Sequence, residues 1–238
     1  MITISKISEF LKSTFGETVK VMFGILIALQ INNWSDQAKQ NTEEIRILNN
    51  LKEDLLSDVL QLENNVLSAG KRQEDIDSIF TILYSPEKYD VEHFLKLNFA
   101  LANENHFDEN SGTFDESMAA ATIDCIRNNS IRQQLFNYYR VTKRNYTDKN
   151  TIKQIYENIF PHFFKMLVPS QEFIGGILEK PTHLPNLKIE ALALNKDYIA
   201  ILTLKYRTEA NQIISWETYI SLANTLLKNV EKELKSIS

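Results

Sequence analysis

The sequence predicts an all-α protein: a single N-terminal transmembrane helix followed by an antiparallel bundle of long helices. Three observations predict it. The only strongly apolar stretch, Val21-Met-Phe-Gly-Ile-Leu-Ile-Ala-Leu-Gln-Ile-Asn-Asn-Trp34, lies near the N-terminus and precedes a long polar region. Apolar residues in that region recur at steps of three and four, the helical period. Turn formers are scarce, 6 glycines and 5 prolines in 238 residues, which leaves few breaks and argues for long helices. The expected organisation is a tail and anchor over residues 1–35 and a bundle over residues 36–238, the latter with an irregular excursion at 161–188.

A helix that spans the hydrocarbon core needs about 20 mostly apolar residues. Charge is absent only over residues 21–35, between Lys20 and Asp36, so a full span from Phe15 to Trp34 includes Glu17 and Lys20. Those two lie three apart and share a helix face, and the lysine stem can carry its ammonium back to the headgroups. Trp34 then serves as the interface anchor at the far end. A buried core helix is the alternative reading of so short a run. No small-residue cleavage site follows it, so the segment is expected to stay attached. Lys6, Lys12 and Lys20 precede the uncharged run, and Lys39 and Arg46 follow it. The excess places the N-terminus in the cytoplasm and the bundle in the periplasm, as a single-pass inner-membrane protein. Gly24 and Ala28 form a small-xxx-small pair that lets helices approach, and Gln30 offers an amide for an interhelical hydrogen bond. Chance small residues and an amide at the wet interface are the other reading.

Beyond the anchor, Thr42 is a candidate N-cap with Glu43 and Glu44 in the first turn, although the helix can equally run on from the anchor as a stalk. Leu48, Leu51, Leu55, Val59, Leu62 and Val66 give one apolar stripe, with Glu53, Asp54 and Asp58 off it. Ile76, Phe80 and Leu83 continue that stripe until Ser85-Pro86 breaks it. Asp90 caps a short helix through Phe94, Leu97 and Leu101, and residues 103–112 read as a polar loop. Thr113-x-x-Glu116 and Ser130-x-x-Gln133 have the spacing of capping boxes. A short extended piece fits residues 187–192. Asn195 caps a last long helix, whose apolar face includes Tyr198, Leu202, Lys205, Trp216, Tyr219, Leu226, Leu227 and Val230.

Gly16-Glu17 followed by Gly24-Ile-Leu-Ile-Ala-Leu-Gln-Ile-Asn-Asn-Trp34, then Leu48-x-x-Leu51-x-x-Asp54-Leu55-x-x-Asp58, resembles an uncharacterised family of membrane-anchored helical proteins from Bacteroidota, a domain of unknown function. Gly112-Thr-Phe-Asp-Glu116 and Ile126-x-Asn-x-x-Ile-Arg-x-x-Leu-x-x-Tyr-Tyr139 resemble its aromatic–acidic helix start and a later helix. Where the family often has S-G, this chain has Ala119-Ala120-Ala121. The resemblance implies a location and an architecture, and it carries over no catalytic or ligand residue.

The net charge of −5, without a concentrated basic surface, argues against nucleic acid. The single cysteine, Cys125, excludes an internal disulfide framework and reads as a small core residue. His93, His106, His162 and His183 have no helical ligand spacing, and no nucleophile motif or phosphate loop is present. His106 with Asp108 and Glu109 is the one loop group with metal-ligand chemistry; a solvated loop is the plain reading. No metal and no cofactor are expected, and the expected function is non-enzymatic. It is a membrane-anchored interaction or scaffold module of the cell envelope, with the lipid bilayer and a homo-oligomer or membrane-protein partner. The alternative is a small-molecule-sensing bundle that acts through a partner. Its candidate pocket residues are Tyr138, Tyr139, Tyr146, Tyr156, Phe160 and Phe164, which otherwise read as plain core.

Overall fold

A computed structural model describes residues 4–85, 90–144 and 189–237, with 153, 157 and 165 as isolated positions; within these, side chains are described from Lys20 onward except Val21 and Arg144. Every regular element among the described residues is helical. Helix α1 is Ile4–Tyr84, α2 is Val91–Ala100, α3 is Gly112–Ala119, α4 is Asn129–Arg144, α5 is Ile189–Ala193 and α6 is Lys196–Ile237; a 3-10 turn at Ile123–Cys125 precedes α4. The all-α expectation holds. The extended piece near 187–192 does not, because Ile189–Ala193 is a helical turn that buries Ile189 and Leu192. Among the described residues no helix is long and apolar enough to cross a membrane. The uncharged run falls short of the required length and ends in three amides, which is the physical reason the expected span is not supported by apolarity.

Helix α1 is a single rod, and Thr42 does not cap it: its hydroxyl donates to Ala38 O at 3.0 Å, inside a helix already under way. The rod stops after Tyr84, one residue before the Ser85-Pro86 step. Asp90 caps α2 by accepting from Glu92 N at 3.0 Å. Asn195 caps α6 by accepting from Asp197 N and Tyr198 N. For α4 the cap is Asn128, whose Oδ1 accepts from Ser130 N and Ile131 N, so the helix begins earlier than the Ser130 spacing suggests. Helix α3 also begins ahead of Thr113, with Ser111 at its N-cap.

Helices α1 and α6 run antiparallel, joined by Lys52–Glu231 near one end and Arg72–Glu209 toward the other. Helix α4 lies against both, since Gln134 accepts from Asn229 of α6 and Tyr138 donates to Asp58 of α1. Three apolar clusters follow one another along α1. Ile47, Leu48, Leu51 and Leu55 pack with Ile131, Leu135, Ala223 and Leu226. Leu62 and Ala69 pack with Phe107, Trp216 and Tyr219. Ile76, Ile79 and Leu83 pack with Phe94, Leu101, Tyr198 and Leu202. The stripe read from the sequence is therefore the core face, with Leu48, Leu51, Leu55 and Leu62 fully buried.

Helix α3 ends on an alanine where the backbone favours glycine. Ala121 has φ 54°, and Thr122 N donates to Ser117 O at 2.9 Å, closing a C-terminal turn of Schellman type. An L-residue pays about 1–2 kcal/mol in this region, while glycine loses about 0.5–1 kcal/mol of backbone entropy on folding. Ala121→Gly is expected to stabilise the chain by about 0.5–1 kcal/mol, read as a higher urea midpoint at unchanged slope; an unchanged or lower midpoint counts against this turn.

Candidate functional site

Three regions of the structure bear on function: a buried polar lattice on α1, an aromatic cleft between α3 and α4, and the exposed N-terminal part of α1.

The lattice starts from four side chains on one flank of α1, Asp54, Asp58, Gln61 and Asn65, spaced four, three and four apart. Together they hold the backbone of the segment before α3. Asp54 accepts from Thr113 N at 3.3 Å and Gln61 from Asp108 N at 2.9 Å, while Asn65 donates to His106 O at 2.9 Å. Asp58 accepts from Asn110 N at 2.8 Å, from Asn110 Nδ2 at 2.9 Å and from the Tyr138 hydroxyl at 2.7 Å. Burial pushes the Asp58 carboxyl above its ordinary value despite these donors. Burial first, and the Asp58 charge second, push the Tyr138 phenol far above its own. Tyr138 is thus a neutral phenol donating to a buried Asp58 carboxyl oxygen, which is a structural junction.

About two turns further along α1, Arg72 reaches Glu209 with Nε at 2.8 Å and Nη2 at 2.9 Å and Asn105 Oδ1 with Nη1 at 2.7 Å. Lys205 Nζ lies 2.6 Å from Glu209 Oε1 and donates to Asn103 O. Arg72, Lys205 and Glu209 are all buried. Desolvation lowers Lys205 to about 8, with Glu209 pulling it back toward the charged form. An amine this far down has the basicity of a catalytic lysine. However, it is 4 % exposed and faces an arginine and a carboxylate, so no substrate reaches it. Sequence reading placed Lys205 on the apolar face of α6 without its partners. Arg72 and Glu209 were missed, since each looks like an ordinary surface charge until the other is brought beside it.

Elsewhere, Glu44 is fully buried and accepts from Arg127 N and Nε at 2.8 and 2.7 Å. His106 Nε2 pairs with Glu104 Oε1 at 2.8 Å, and among the described residues no group of three or more His, Cys, Asp or Glu is placed to hold a metal. Cys125 is half-buried, and burial together with Glu43, Glu44 and Asp124 raises its thiol above the ordinary value. That favours the unreactive form.

The two neighbouring tyrosines are both buried in one core cluster, their rings meeting edge-on at 5.1 Å. Tyr138 points into the core at Asp58. Tyr139 lines an open cleft of about 440 Å³ with Phe114, Met118, Phe136, Arg140 and Lys143. Phe114 stacks on Tyr139 at 4.5 Å between centroids and meets Phe136 edge-on at 5.4 Å. Lys143 on the rim is paired with Asp115 at 2.7 Å. Tyr146, Tyr156, Phe160 and Phe164 lie outside the described residues, as does the excursion at 161–188 apart from position 165.

Along α1 every described residue over 22–40 is exposed, including Gly24, Ala28 and Gln30. Trp34 is 72 % exposed, and Phe23, Leu26, Leu29 and Ile31 each exceed half. Burial against the bundle begins at Glu44.

The chain belongs to DUF6090, a family of unknown function, whose profile matches residues 17–160. No curated protein matches it. No solved structure matches it.

Removing Asp58 strands a buried phenol and a backbone N–H. Asp58→Ala is expected to cost about 2–4 kcal/mol, and Tyr138→Phe about 1–2 kcal/mol, by urea denaturation of the full-length chain. Hydrogen exchange at the Asn110 amide should accelerate in Asp58→Ala beyond the global loss; an unchanged rate would show that the junction does not hold the loop. For Lys205, the unfolded chain holds a proton between pH 8 and 10.5 that the folded chain has released, so this group's contribution to stability rises with pH through that window. From pH 7.5 to 9.5 the wild type should gain about 2 kcal/mol relative to Lys205→Met; parallel pH profiles would refute the shift.

Proposed function

We propose that this DUF6090 chain is a non-enzymatic, membrane-anchored interaction or scaffold module, with α1 inserting its N-terminal part in a bilayer and presenting the bundle on the far side. The observation that carries this reading is the run of exposed apolar side chains over residues 22–34, on a helix that no other described part of the chain covers there. A helix apolar all round needs an apolar surrounding. Lipid supplies it if the span takes in Glu17 and Lys20, and Trp34 then lies at the interface. The lysine excess before the span supports a cytoplasmic N-terminus, and with it a bundle outside the cytoplasm.

The α3–α4 cleft favours a second reading, a bundle that senses a small molecule. Its floor of Phe114, Phe136 and Tyr139 suits a planar apolar group, but it is an open groove and not an enclosed cavity.

Anchoring and orientation are tested together in a Cys125→Ser background carrying Leu194→Cys, an exposed turn position. The chain should stay with membranes through alkaline carbonate, and intact cells should be labelled by a membrane-impermeant maleimide. Release by carbonate would overturn the anchor. Labelling only after lysis would reverse the orientation.

A further inference from the structure

Among the described helices, α4 alone carries basic residues and no acid. It holds Arg132, Arg140, Lys143 and Arg144, in a chain whose net charge is −5. The helix dipole favours Lys143 and Arg144 at the C-terminal end, but it works against Arg132 near the other. Of the three whose side chains are described, Lys143 has a carboxylate partner, Asp115 of α3 at 2.7 Å. The other two meet neutral oxygens within the chain. Arg132 donates to Ile126 O and Asn129 Oδ1, and Arg140 donates to Asn137 Oδ1 at 2.7 Å. Their charge is left without a described counterpart.

These cations share a face with apolar surface. At about 100° per residue, Arg132, Phe136, Tyr139, Arg140 and Lys143 lie within about 100° of one another around α4. All but Arg132 line the α3–α4 cleft, with Phe114 and Met118 from α3. Phe136 and Met118 are 43 % and 42 % exposed, so part of this lining stands in water. Rings and a methionine at the centre, with a guanidinium and an ion pair at the edge, match the core and rim of a protein interface. The groove is also open. A small-molecule pocket buries roughly 70–90 % of its ligand, which an open groove does not do. A side chain presented by another protein needs only a seat, because the surrounding contacts of that protein exclude the water.

We propose that the α3–α4 cleft is the seat for an acidic segment of a partner protein, which inserts an aromatic side chain against Phe136 and Met118 and sets its carboxylates beside Arg140 and Arg132. The inference rests on the reading of the chain as an interaction module and names the chemistry of the partner. An aromatic anchor is favoured over an aliphatic one because Phe114 already stacks on Tyr139 and meets Phe136 edge-on, an arrangement that a further ring extends. Arg140 keeps donors beyond the one given to Asn137, in a planar fork that suits a carboxylate. A nucleic acid would need a broader basic surface than one helix face supplies.

The test is methyl NMR of the full-length chain in mild detergent, labelled at its methionine methyl groups. The chain has 4 methionines, and Met118→Leu identifies the cleft signal by its loss. The probes are two end-blocked pentapeptides, GEWEG and GKWKG, and N-acetyltryptophan as a free small acid. GEWEG should shift the Met118 methyl and bind about tenfold more tightly than GKWKG, the ratio that two partly exposed charge pairs supply. Arg140→Gln should cut that preference to about threefold, and Phe136→Ala should weaken both peptides severalfold. Both positions are exposed, so the helical circular dichroism should stay that of the wild type. No Met118 shift, equal affinity for the two peptides, or an unchanged preference in Arg140→Gln would overturn the proposal. N-acetyltryptophan binding as tightly as GEWEG would overturn it as well, and would give the cleft to a small acid. Carbonate extraction of the same chain reports on the anchor alone. A chain retained in membranes whose Met118 ignores GEWEG sinks the docking site and leaves the anchored module. A released chain whose Met118 prefers GEWEG sinks the anchor and keeps the docking site.

Discussion

Everything in the lower half of the bundle depends on how α1 deals with the irregular segment before α3. That segment carries Phe107 into the core beside Trp216 and Tyr219, and a chain that enters a core without secondary structure brings backbone donors and acceptors that must be paired. Asp54, Asp58, Gln61 and Asn65 do the pairing from one flank of a helix, at the spacing a helix imposes. Asp58 does more than the others. By accepting from Asn110 and from Tyr138 at once, it fixes the loop and α4 against α1 with a single carboxylate. Tyr139 closes the arrangement from the next position, its hydroxyl donating to Asn110 O at 3.0 Å while its ring stacks on Phe114. The position of α3, and so of the aromatic cleft, follows from this junction.

The same helix solves a second problem, which is register. Two long antiparallel helices with apolar stripes can slide by a turn and still bury leucine against leucine. Here charged layers interrupt the apolar ones. Arg72, Lys205 and Glu209 meet between the cluster of Trp216 and the cluster of Phe94, and a slip of one turn would part Arg72 from Glu209, leaving a buried guanidinium without its carboxylate while Lys205 and Glu209 stay paired within α6. The penalty for an unpaired buried charge is several kcal/mol, more than an intact buried pair adds to stability. The cluster therefore contributes little to net stability and much to the choice of one pairing over its neighbours. The depressed Lys205 amine is the cost of that arrangement.

Much of this fold is legible in the sequence because it is set locally. The stop after Tyr84 follows from proline sterics, the starts of α2 and α6 follow from Asp90 and Asn195, and the core stripe of α1 follows from its period. The misplaced features share a cause. Asp58 looks like a solvent-facing acid, and only groups more than fifty residues away along the chain make its burial tolerable. Thr42 has cap chemistry, but a helix already running through residue 38 leaves it no N–H to cap. Asn128 displaces Ser130 as the cap of α4 because the helix starts two positions earlier, and its side-chain oxygen accepts from the Ser130 and Ile131 amides. Tyr138 and Tyr139 read as one pocket-lining pair. Both are buried, but adjacent helical residues point about 100° apart, so only Tyr139 shares a face with Phe136 and Lys143, at steps of three and four, and reaches the cleft. Periodicity does not bring Phe114 to that face, because it comes from α3.

The outward leucines were legible as well, since Leu56, Leu60 and Leu67 sit at helical spacing opposite the stripe that packs. A search for the core passes over them because they do not belong to it. Between Trp34 and Glu44 the rod is exposed and largely polar, and at about 1.5 Å per residue it stands the bundle about 15 Å from the apolar segment. No proline or glycine interrupts that stretch, so one continuous helix joins the apolar segment to the face that packs.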